Sequence, residues 1–327
     1  MSTCASTDSA FTATHAMRLS GRLTGTLFRT PLRFASLALL AIAPYARADW
    51  ILVRADAPVT AIHASSVYQA QTGQRFSQDD IIESSGNGVV QIQDEGGNLV
   101  ALGRDTRAML TRDSHIALLR GWLKVMHECP DANCATPVVE TERTRFTPAD
   151  RATLVIAATP EGYDGADAVF CESGSAQILA LGKPRGKPLD LRIDAHGSAF
   201  ALHAKAGGTM SVSPSPEPAF VTAMPVAFRD ALRPLPLPSA ARALPTHGLR
   251  PVAYAEVADW LGGTLAVRTD PATRFTERFR ARLPDPAFRR DVKQHIRALP
   301  DWRPLVFPPP RTTLKPLAAY SSSSARP

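Results

Sequence analysis

The sequence predicts a mainly β protein in which short strands stack into one unit, followed by a Pro-rich linker and a small helical region. Three observations predict this fold class. Apolar runs of strand length recur about every ten residues from residue 51 to residue 203, separated by turns rich in Gly, Asn, Asp and Ser. Runs such as Val90 to Gln93 alternate apolar and polar side chains, which is the period of a half-buried strand. Helical spacing of apolar residues is confined to the C-terminal third.

The individual strands are predicted between the turn signals, after an entry segment at 50–66 that Pro58 interrupts. They are residues 81–82, 89–93, 99–102, 108–111, 115–119, 122–126, 152–158, 168–170, 176–181, 189–193 and 198–203. Strands at this spacing are typical of a sandwich, a barrel or a coil. Because the chain shows no repeat of fixed length, both a sandwich and a solenoid-like β unit remain open for residues 49–213.

A series of short motifs characterises the region between residues 76 and 125. In order they are Asp80-Ile81-Ile82, Val90-Gln91-Ile92, Asp94 with Gly96-Gly97, Leu102-Gly103, Thr106-Arg107, and Leu119-Arg120-Gly121-Trp122-Leu123-Lys124-Val125. Their order and spacing resemble the FecR domain, a family named after the periplasmic part of an iron-dicitrate sensor-regulator. The resemblance extends with fewer matching positions over residues 50–210.

The resemblance implies a non-catalytic domain for binding or sensing that needs no cofactor. The motif residues to which it gives a structural role are Asp80, Gly97, Gly103, Thr106, Gly121 and Trp122. We expect Trp122 in the core, since an indole on a strand is buried against its neighbours. The family's sensor-regulators hold a sigma factor through a cytosolic helical region before a membrane span. Few residues precede the apolar run of this chain, so the sequence does not predict that role.

The first 48 residues predict an export signal. Arginines between residues 18 and 33 precede an apolar run at 34–43, and Ala46-Arg47-Ala48 fits the small-x-small cleavage rule. Cleavage there yields a periplasmic protein that begins at Asp49. A membrane span needs about 20 apolar residues, more than this run supplies. The alternative is an uncleaved signal that anchors the chain in the inner membrane.

The cysteines fit an oxidising compartment. Cys129 and Cys134 flank a Pro-Asp-Ala-Asn turn and are the candidate disulfide. The alternative is a metal site with His127, but zinc prefers four ligands and only three lie together here. No metal site is therefore predicted. Cys171 lies in an apolar run, where we expect it to be buried and inert.

Prolines mark the end of the β unit. Residues 214–251 contain nine prolines, which predict an extended linker with a short helix at 223–232. Residues 252–302 are predicted to be helical, at 252–261, 271–283 and 285–299. Asp270-Pro271 and Asp285-Pro286 each place a capping residue before a proline at the first helical position. Residues 303–327 are predicted to be disordered.

Charge divides the chain into an acidic and a basic part. The net charge is −6 over residues 49–219 and +9 over residues 220–327. The candidate contacts for an anionic partner are Arg274, Arg278, Arg282, Arg289, Arg290 and Arg297. Such a basic helical face either binds an anionic polymer, lipid head groups or an acidic protein, or is simply solvated.

Signatures of catalysis are missing from the sequence. It has no nucleophile elbow, no zinc-protease motif and no complete phosphate loop. Glycines and lysines do occur together at 182–188, but the interleaved prolines prevent a helix from opening there. We therefore expect an exported, non-enzymatic binding, sensing or scaffold protein of the cell envelope. Its partner would be an envelope protein or polymer, with peripheral contact to membrane or cell wall, and not a nucleic acid.

Overall fold

The computed structural model describes residues 50–129, 134–160, 163, 166–181, 190–204, 210–245, 247–270 and 275–308. They all lie in the contact unit that spans residues 45–327. The predicted export signal, the predicted cap at Pro271, Arg274, the 182–188 loop and the tail beyond residue 308 lie outside the described residues. Strands hold 41% of the chain and helices 19%, which confirms the predicted fold class.

Eighteen strands are present in the described residues. They are β1 Trp50–Ala55, β2 Val59–His63, β3 Ser66–Ala70, β4 Arg75–Phe76, β5 Ile81–Ser84, β6 Val90–Gln93, β7 Asn98–Leu102, β8 Arg107–Leu110, β9 His115–His127, β10 Val138–Glu140, β11 Thr144–Pro148, β12 Ala152–Ala158, β13 Ala166–Ser173, β14 Ser175–Ala180, β15 Asp190–Asp194, β16 Phe200–Ala204, β17 Met210–Ser213 and β18 Arg250–Pro251.

The strands form one curled sheet whose two halves share β9. The first half has the order β4-β1-β6-β7-β9-β12-β13-β16-β17. The second half has the order β18-β3-β2-β5-β8-β9-β10-β11-β14-β15. Neighbours are antiparallel except β9 and β10, which run parallel. We call them sheet I and sheet II. Their facing sides enclose one apolar core, so the alternative of stacked solenoid coils does not apply.

Strand β9 passes from one sheet to the other. Its N-terminal part pairs with β8 in sheet II, and its C-terminal part pairs with β7 and β12 in sheet I. The bend falls at Gly121, which has a φ of +103°. Ile116 and Leu118 face the inner core before the bend, and Leu123 and Val125 face it afterwards, so the alternation changes phase there. The sequence predicts two strands at this place, whereas the structure has one bent strand.

The outer face of sheet I is covered by the Pro-rich segment. We call residues 214–245 the strap; it contains the helix α1 Pro218–Ala223 and a 3₁₀ turn at Val226–Arg229. Phe220 and Phe228 of the strap are buried against Trp122 and its neighbours in sheet I. The segment is mostly extended, as its prolines predict, but it lies on the sheet. The predicted helix at 223–232 is not present as one helix, because α1 ends at Ala223 and only the 3₁₀ turn at Val226–Arg229 lies within that range.

The outer face of sheet II is covered by the C-terminal helices. They are α2 Tyr254–Gly262, α3 Ala266–Thr269, α4 Phe275–Arg280, α5 Pro286–Gln294 and α6 Arg303–Val306, with a 3₁₀ turn at Pro300–Trp302. Their apolar side chains pack with Ile62, Val67 and Met109 of the sheet. The Asp285 carboxylate caps α5 by accepting from the backbone N–H of Ala287 at 2.9 Å, as the Asp-Pro pair predicts.

Two details of the C-terminal region add to the sequence prediction. Val306 is buried in the helical layer, so order extends past residue 302 into the segment predicted to be disordered. Within the described residues, no helix combines the length and the apolar character that crossing a membrane requires.

Candidate functional site

The motif residues at the bend of β9 form a structural lock. The Thr106 hydroxyl accepts from the Trp122 backbone N–H at 3.0 Å and lies 3.1 Å from the Trp122 carbonyl oxygen, to which it can donate. A side chain on Gly121 would lie 2.5 Å from Thr106 atoms, and one on Gly103 would lie 2.9 Å from Trp122 Cβ. Trp122 is fully buried, with its ring 5.0 Å from that of Phe220. Gly103, Thr106, Gly121 and Trp122 therefore fix the course of the backbone at the bend. They are not available to a ligand.

Asp80 also has a structural role, at the junction of sheet II and the helices. It is buried, and its carboxylate accepts from the Ser77 backbone N–H at 2.8 Å and pairs with His63 Nδ1 at 2.7 Å. The same region holds Arg278, whose guanidinium donates to the carbonyl oxygens of Ile62, Ala64 and Asp79. Burial lowers the pKa of Arg278 to about 10, which leaves it cationic at neutral pH.

The turn between β6 and β7 leads to a second polar network. Gly97 has a φ of +89° there, which lets Asp94 fold back onto Asn98. The Asp94 carboxylate accepts from the Asn98 backbone N–H at 2.8 Å and from Asn98 Nδ2 at 2.6 Å. Asn98 Nδ2 also donates to the Ala135 carbonyl oxygen at 2.9 Å. Since both partners of Nδ2 are acceptors, the orientation of this amide is determined.

His127 is the last member of this network. Asn98 Oδ1 lies 2.6 Å from His127 Nδ1, and because the amide oxygen can only accept, Nδ1 carries the proton. The other ring nitrogen, Nε2, is then an acceptor in the neutral ring. Burial lowers the pKa of His127, against the opposing effect of Asp150 and Asp94, so the neutral form is favoured. Burial likewise raises the pKa of Asp94.

His127 lines a cleft of about 900 Å³ at the end of the β unit where β15 is the outermost strand of sheet II. Its other lining residues are Cys129, Cys134, Thr136, Thr147, Pro148, Ala149, Asp150, Ser175, Ala176, Gln177, Asp190, Leu191 and Arg192. A cleft of this volume is in the range of sites for small molecules and short peptides. Its described lining is mainly small and polar, and it contains no Phe, Tyr or Trp side chain on which a sugar could stack.

The predicted disulfide is present at the rim of this cleft. Cys129 and Cys134 are bonded, with their Cα atoms 5.8 Å apart. The disulfide consumes both thiols that the alternative metal site would need. Among the described residues, no group of three or more His, Cys, Asp and Glu side chains is placed to hold a metal ion.

Cys171 lies in the inner core, buried as predicted. Burial raises the pKa of its thiol to about 11, so the thiolate needed for nucleophilic attack is scarce at neutral pH. The described residues therefore offer no activated cysteine.

Five of the six arginines predicted to contact an anionic partner lie in the described residues, and these five do not form one surface. Arg278 is bound to backbone carbonyls, and Arg282 donates to the Val252 carbonyl oxygen at 3.0 Å and to Asp285 at 2.5 Å. These two arginines have structural roles, which corrects the prediction. Arg274 lies outside the described residues. The remaining three, Arg289, Arg290 and Arg297, are exposed on α5 and the turn after it. We call these three residues the basic face.

The sequence analysis missed the network that fixes His127. Its members are spread from residue 94 to residue 135, and only the pairing of β7 with β9 brings Asn98 opposite His127. The available signal was an Asp-x-Gly-Gly-Asn turn followed later by a histidine at the end of a strand. That signal alone did not indicate contact.

Comparisons with known proteins add little to this description. No protein-family model and no curated protein matches the chain. Two solved structures of a protein from Parabacteroides distasonis ATCC 8503, described as a putative anti-sigma factor, match 41% of this chain and 58% of their own length. The identities are 14% and 15%, and the TM-scores are 0.32 and 0.33. These values support no inference about function, so the proposal below depends on the site itself.

Proposed function

We propose that the chain is an exported, non-catalytic FecR-like protein that binds or senses an envelope partner through the cleft beside the disulfide. The observation that carries the proposal is the buried Asp94–Asn98–His127 network, which ends in the cleft. Burying polar groups costs free energy unless they are hydrogen-bonded, so the network fixes the His127 ring rigidly at the cleft. No bond to Nε2 is found among the described residues, which leaves this nitrogen as an acceptor for a ligand.

The chemistry of the cleft favours binding over catalysis. Asp94 bonds to Asn98 and not to the imidazole, so the ring lacks the directly hydrogen-bonded carboxylate of a catalytic His–Asp pair. The charges of Asp94 and Asp150 favour the protonated ring only in part, because burial still lowers the pKa of His127. Ser175, which also lines the cleft, accepts from Arg192 Nη2 at 3.0 Å. No described contact places a base on its hydroxyl. His127 therefore serves as a fixed hydrogen-bond acceptor.

Site-specific photocross-linking in the source cells tests the proposal. A photoreactive amino acid is placed at Gln177, which is exposed in the cleft, and in a separate variant at Arg289 on the basic face. We expect a discrete adduct from position 177 on the exported protein and none from position 289. Adducts from neither position, or from position 289 alone, would refute binding at the cleft.

A second candidate function uses the basic face. It is favoured by the exposure of Arg289, Arg290 and Arg297. Asp291, whose carboxylate lies 3.5 Å from Arg290, compensates part of the charge of this face. Such a face would attract anionic vesicles or an acidic polymer. Charge reversal of the three arginines should abolish vesicle binding, whereas reversal of Arg151, which is 83% exposed on the β unit, should not. Binding that is insensitive to salt would count against this candidate.

Export is part of the proposal and has its own test. Fractionation with intact-mass analysis should find a periplasmic species that begins at Asp49 and gains about two mass units on reduction, as one disulfide requires. A full-length species in the inner membrane would instead support a signal-anchored regulator.

A further inference from the structure

Strand β15 is the outermost strand of sheet II, and its outer edge is unpaired over most of its length. Its inner edge pairs with β14 in an antiparallel register that sets Gln177 opposite Arg192 and Leu179 opposite Asp190. Among the described residues, the outer edge makes a single rung, in which Asp194 and Ser198 exchange backbone hydrogen bonds of 3.3 Å. Pairing at this edge does not continue beyond Asp194, so the rest of the edge can accept a further strand.

The register determines which backbone groups point outward. The Ala195 N–H donates to the Gly174 carbonyl oxygen, toward β14, while the Asp194 N–H donates away from β14, to Ser198. Because the direction alternates along an antiparallel strand, Arg192 and Asp190 point their N–H and C=O groups outward, like Asp194. No described residue bonds to these outward groups, which repeat at the spacing of a strand.

The open edge borders the cleft. Asp190, Leu191 and Arg192 line it together with His127. Leu191 is half-buried and packs toward the inner core, whereas the Asp190 and Arg192 side chains lie on the opposite, exposed face. A strand added here would place alternate side chains beside Leu191 and the others beside Asp190 and Arg192, so both sets would contact residues that line the cleft.

We propose that the cleft takes an extended polypeptide segment of a partner protein, whose main chain pairs with the outer edge of β15. This inference rests on the proposed function and specifies its ligand. The ladder supplies affinity without regard to sequence, and the alternating pockets supply selectivity. Opposite charges are favoured in cross-strand pairs, so the segment should carry a basic residue near Asp190 and an acidic one near Arg192.

Two substitutions of Arg192 distinguish binding through the main chain from binding through the side chain. Arg192→Pro removes the outward N–H and leaves the bonds to β14 intact, because proline is tolerated at the outer edge of an edge strand. Arg192→Ala keeps the N–H and removes only the side chain. Thermal unfolding of both variants establishes that they are folded.

The probe is a displayed library of random 12-residue peptides, panned on the disulfide-intact protein. Enriched sequences are synthesised with a fluorescent label, and their binding is measured by anisotropy. We expect Arg192→Pro to weaken binding about tenfold, as the loss of one ladder hydrogen bond implies, and to do so more than Arg192→Ala. Equal effects of the two variants, or no enriched peptide, would overturn the proposal.

A second measurement leaves the protein unchanged. N-methylation of alternate peptide amides removes donors from one edge of the bound strand at a time. Methylation at one parity should abolish binding and at the other should be tolerated, whereas equal tolerance at both parities would again exclude a ladder. If the Gln177 cross-link forms but peptides fail these tests, the cleft binds another ligand and the proposed function survives. If the cross-link also fails, both are rejected.

Discussion

Lys124 connects the strap to sheet I through the hydrogen bonds of its ammonium group. Its side chain is 2% exposed, and its ammonium donates to Glu172 and to the carbonyl oxygens of Phe228 and Asp230, all at 2.8 Å. The two carbonyls belong to the strap, and Glu172 belongs to β13. All three hydrogens of the ammonium are therefore used, so its charge is compensated although it is buried.

Replacing Lys124 with Met should lower the free energy of unfolding by about 3 kcal/mol, because Glu172, the buried Phe228 carbonyl and the partly buried Asp230 carbonyl lose their donor. Urea denaturation measures the change. Arg120→Met is the matched control on the same strand, since Arg120 is 46% exposed, and it should change stability by less than about 0.5 kcal/mol. Equal effects of the two substitutions would show that Lys124 does not fasten the strap.

The lowered pKa of His127 predicts a dependence of stability on pH. The imidazole protonates in the unfolded chain near pH 6.5, but only at a lower pH in the folded protein. The unfolded state thus binds the proton first, and the free energy of unfolding should fall as pH drops below about 6.5. His127→Gln should remove this part of the slope. An unchanged slope between pH 7 and pH 5 would contradict the assignment.

At the level of single residues, the sequence predicted what depends on local chemistry. The burial of Trp122 and Cys171 and the Cys129–Cys134 disulfide follow from residue type and spacing. The structural role of Arg278 did not, because its acceptors are backbone carbonyls from segments about 200 residues away in the chain. Helical spacing places an arginine on a face, but it does not show what covers that face.

Among the elements, the bent strand β9 organises the fold, and Gly121 determines its bend. Gly121→Ala should cost about 3 kcal/mol, since an L side chain is strained at a φ of +103° and would overlap Thr106. Gly262→Ala is the control, because nothing lies within 4 Å of an added Cβ there and φ is not positive. Thermal or urea unfolding measures both. A tolerated alanine at position 121 would refute the lock with Thr106.

The sequence predicted most of the elements, but it predicted neither the bend of β9 nor the packing of the strap. Turn residues and alternation predicted most strands, but the break in alternation at Gly121 suggested two strands where one bends, since periodicity cannot distinguish a bulge from a turn. Proline spacing likewise predicted that the strap is extended. It carried no information on whether the strap spans two bodies or packs on sheet I, because that depends on the apolar contacts of Phe220 and Phe228.

Over the whole molecule, four layers follow one another as strap, sheet I, sheet II and helices. Three apolar clusters join them, and each contains tryptophan: Trp50 between the sheets, Trp122 under the strap, and Trp260 with Trp302 under the helices. Continuous packing of this kind predicts cooperative unfolding of the described part of the chain.

Incorporation of 5-fluorotryptophan tests this cooperativity without substituting core residues. The ¹⁹F signals of the four tryptophans should be lost over the same range of urea concentration. Earlier loss of the Trp260 and Trp302 signals would instead identify the helical layer as a separate unit joined by a linker.

In the proposed function, the partner is bound at the cleft and not at the basic face. Hydrogen–deuterium exchange of the exported protein, measured with and without periplasmic extract of the source cells, tests it most directly. We predict slower exchange of the amides of β15 and of His127, with α5 and the turn after it unchanged. Slower exchange confined to residues 286–297, or no change in either region, would rule out binding at the cleft.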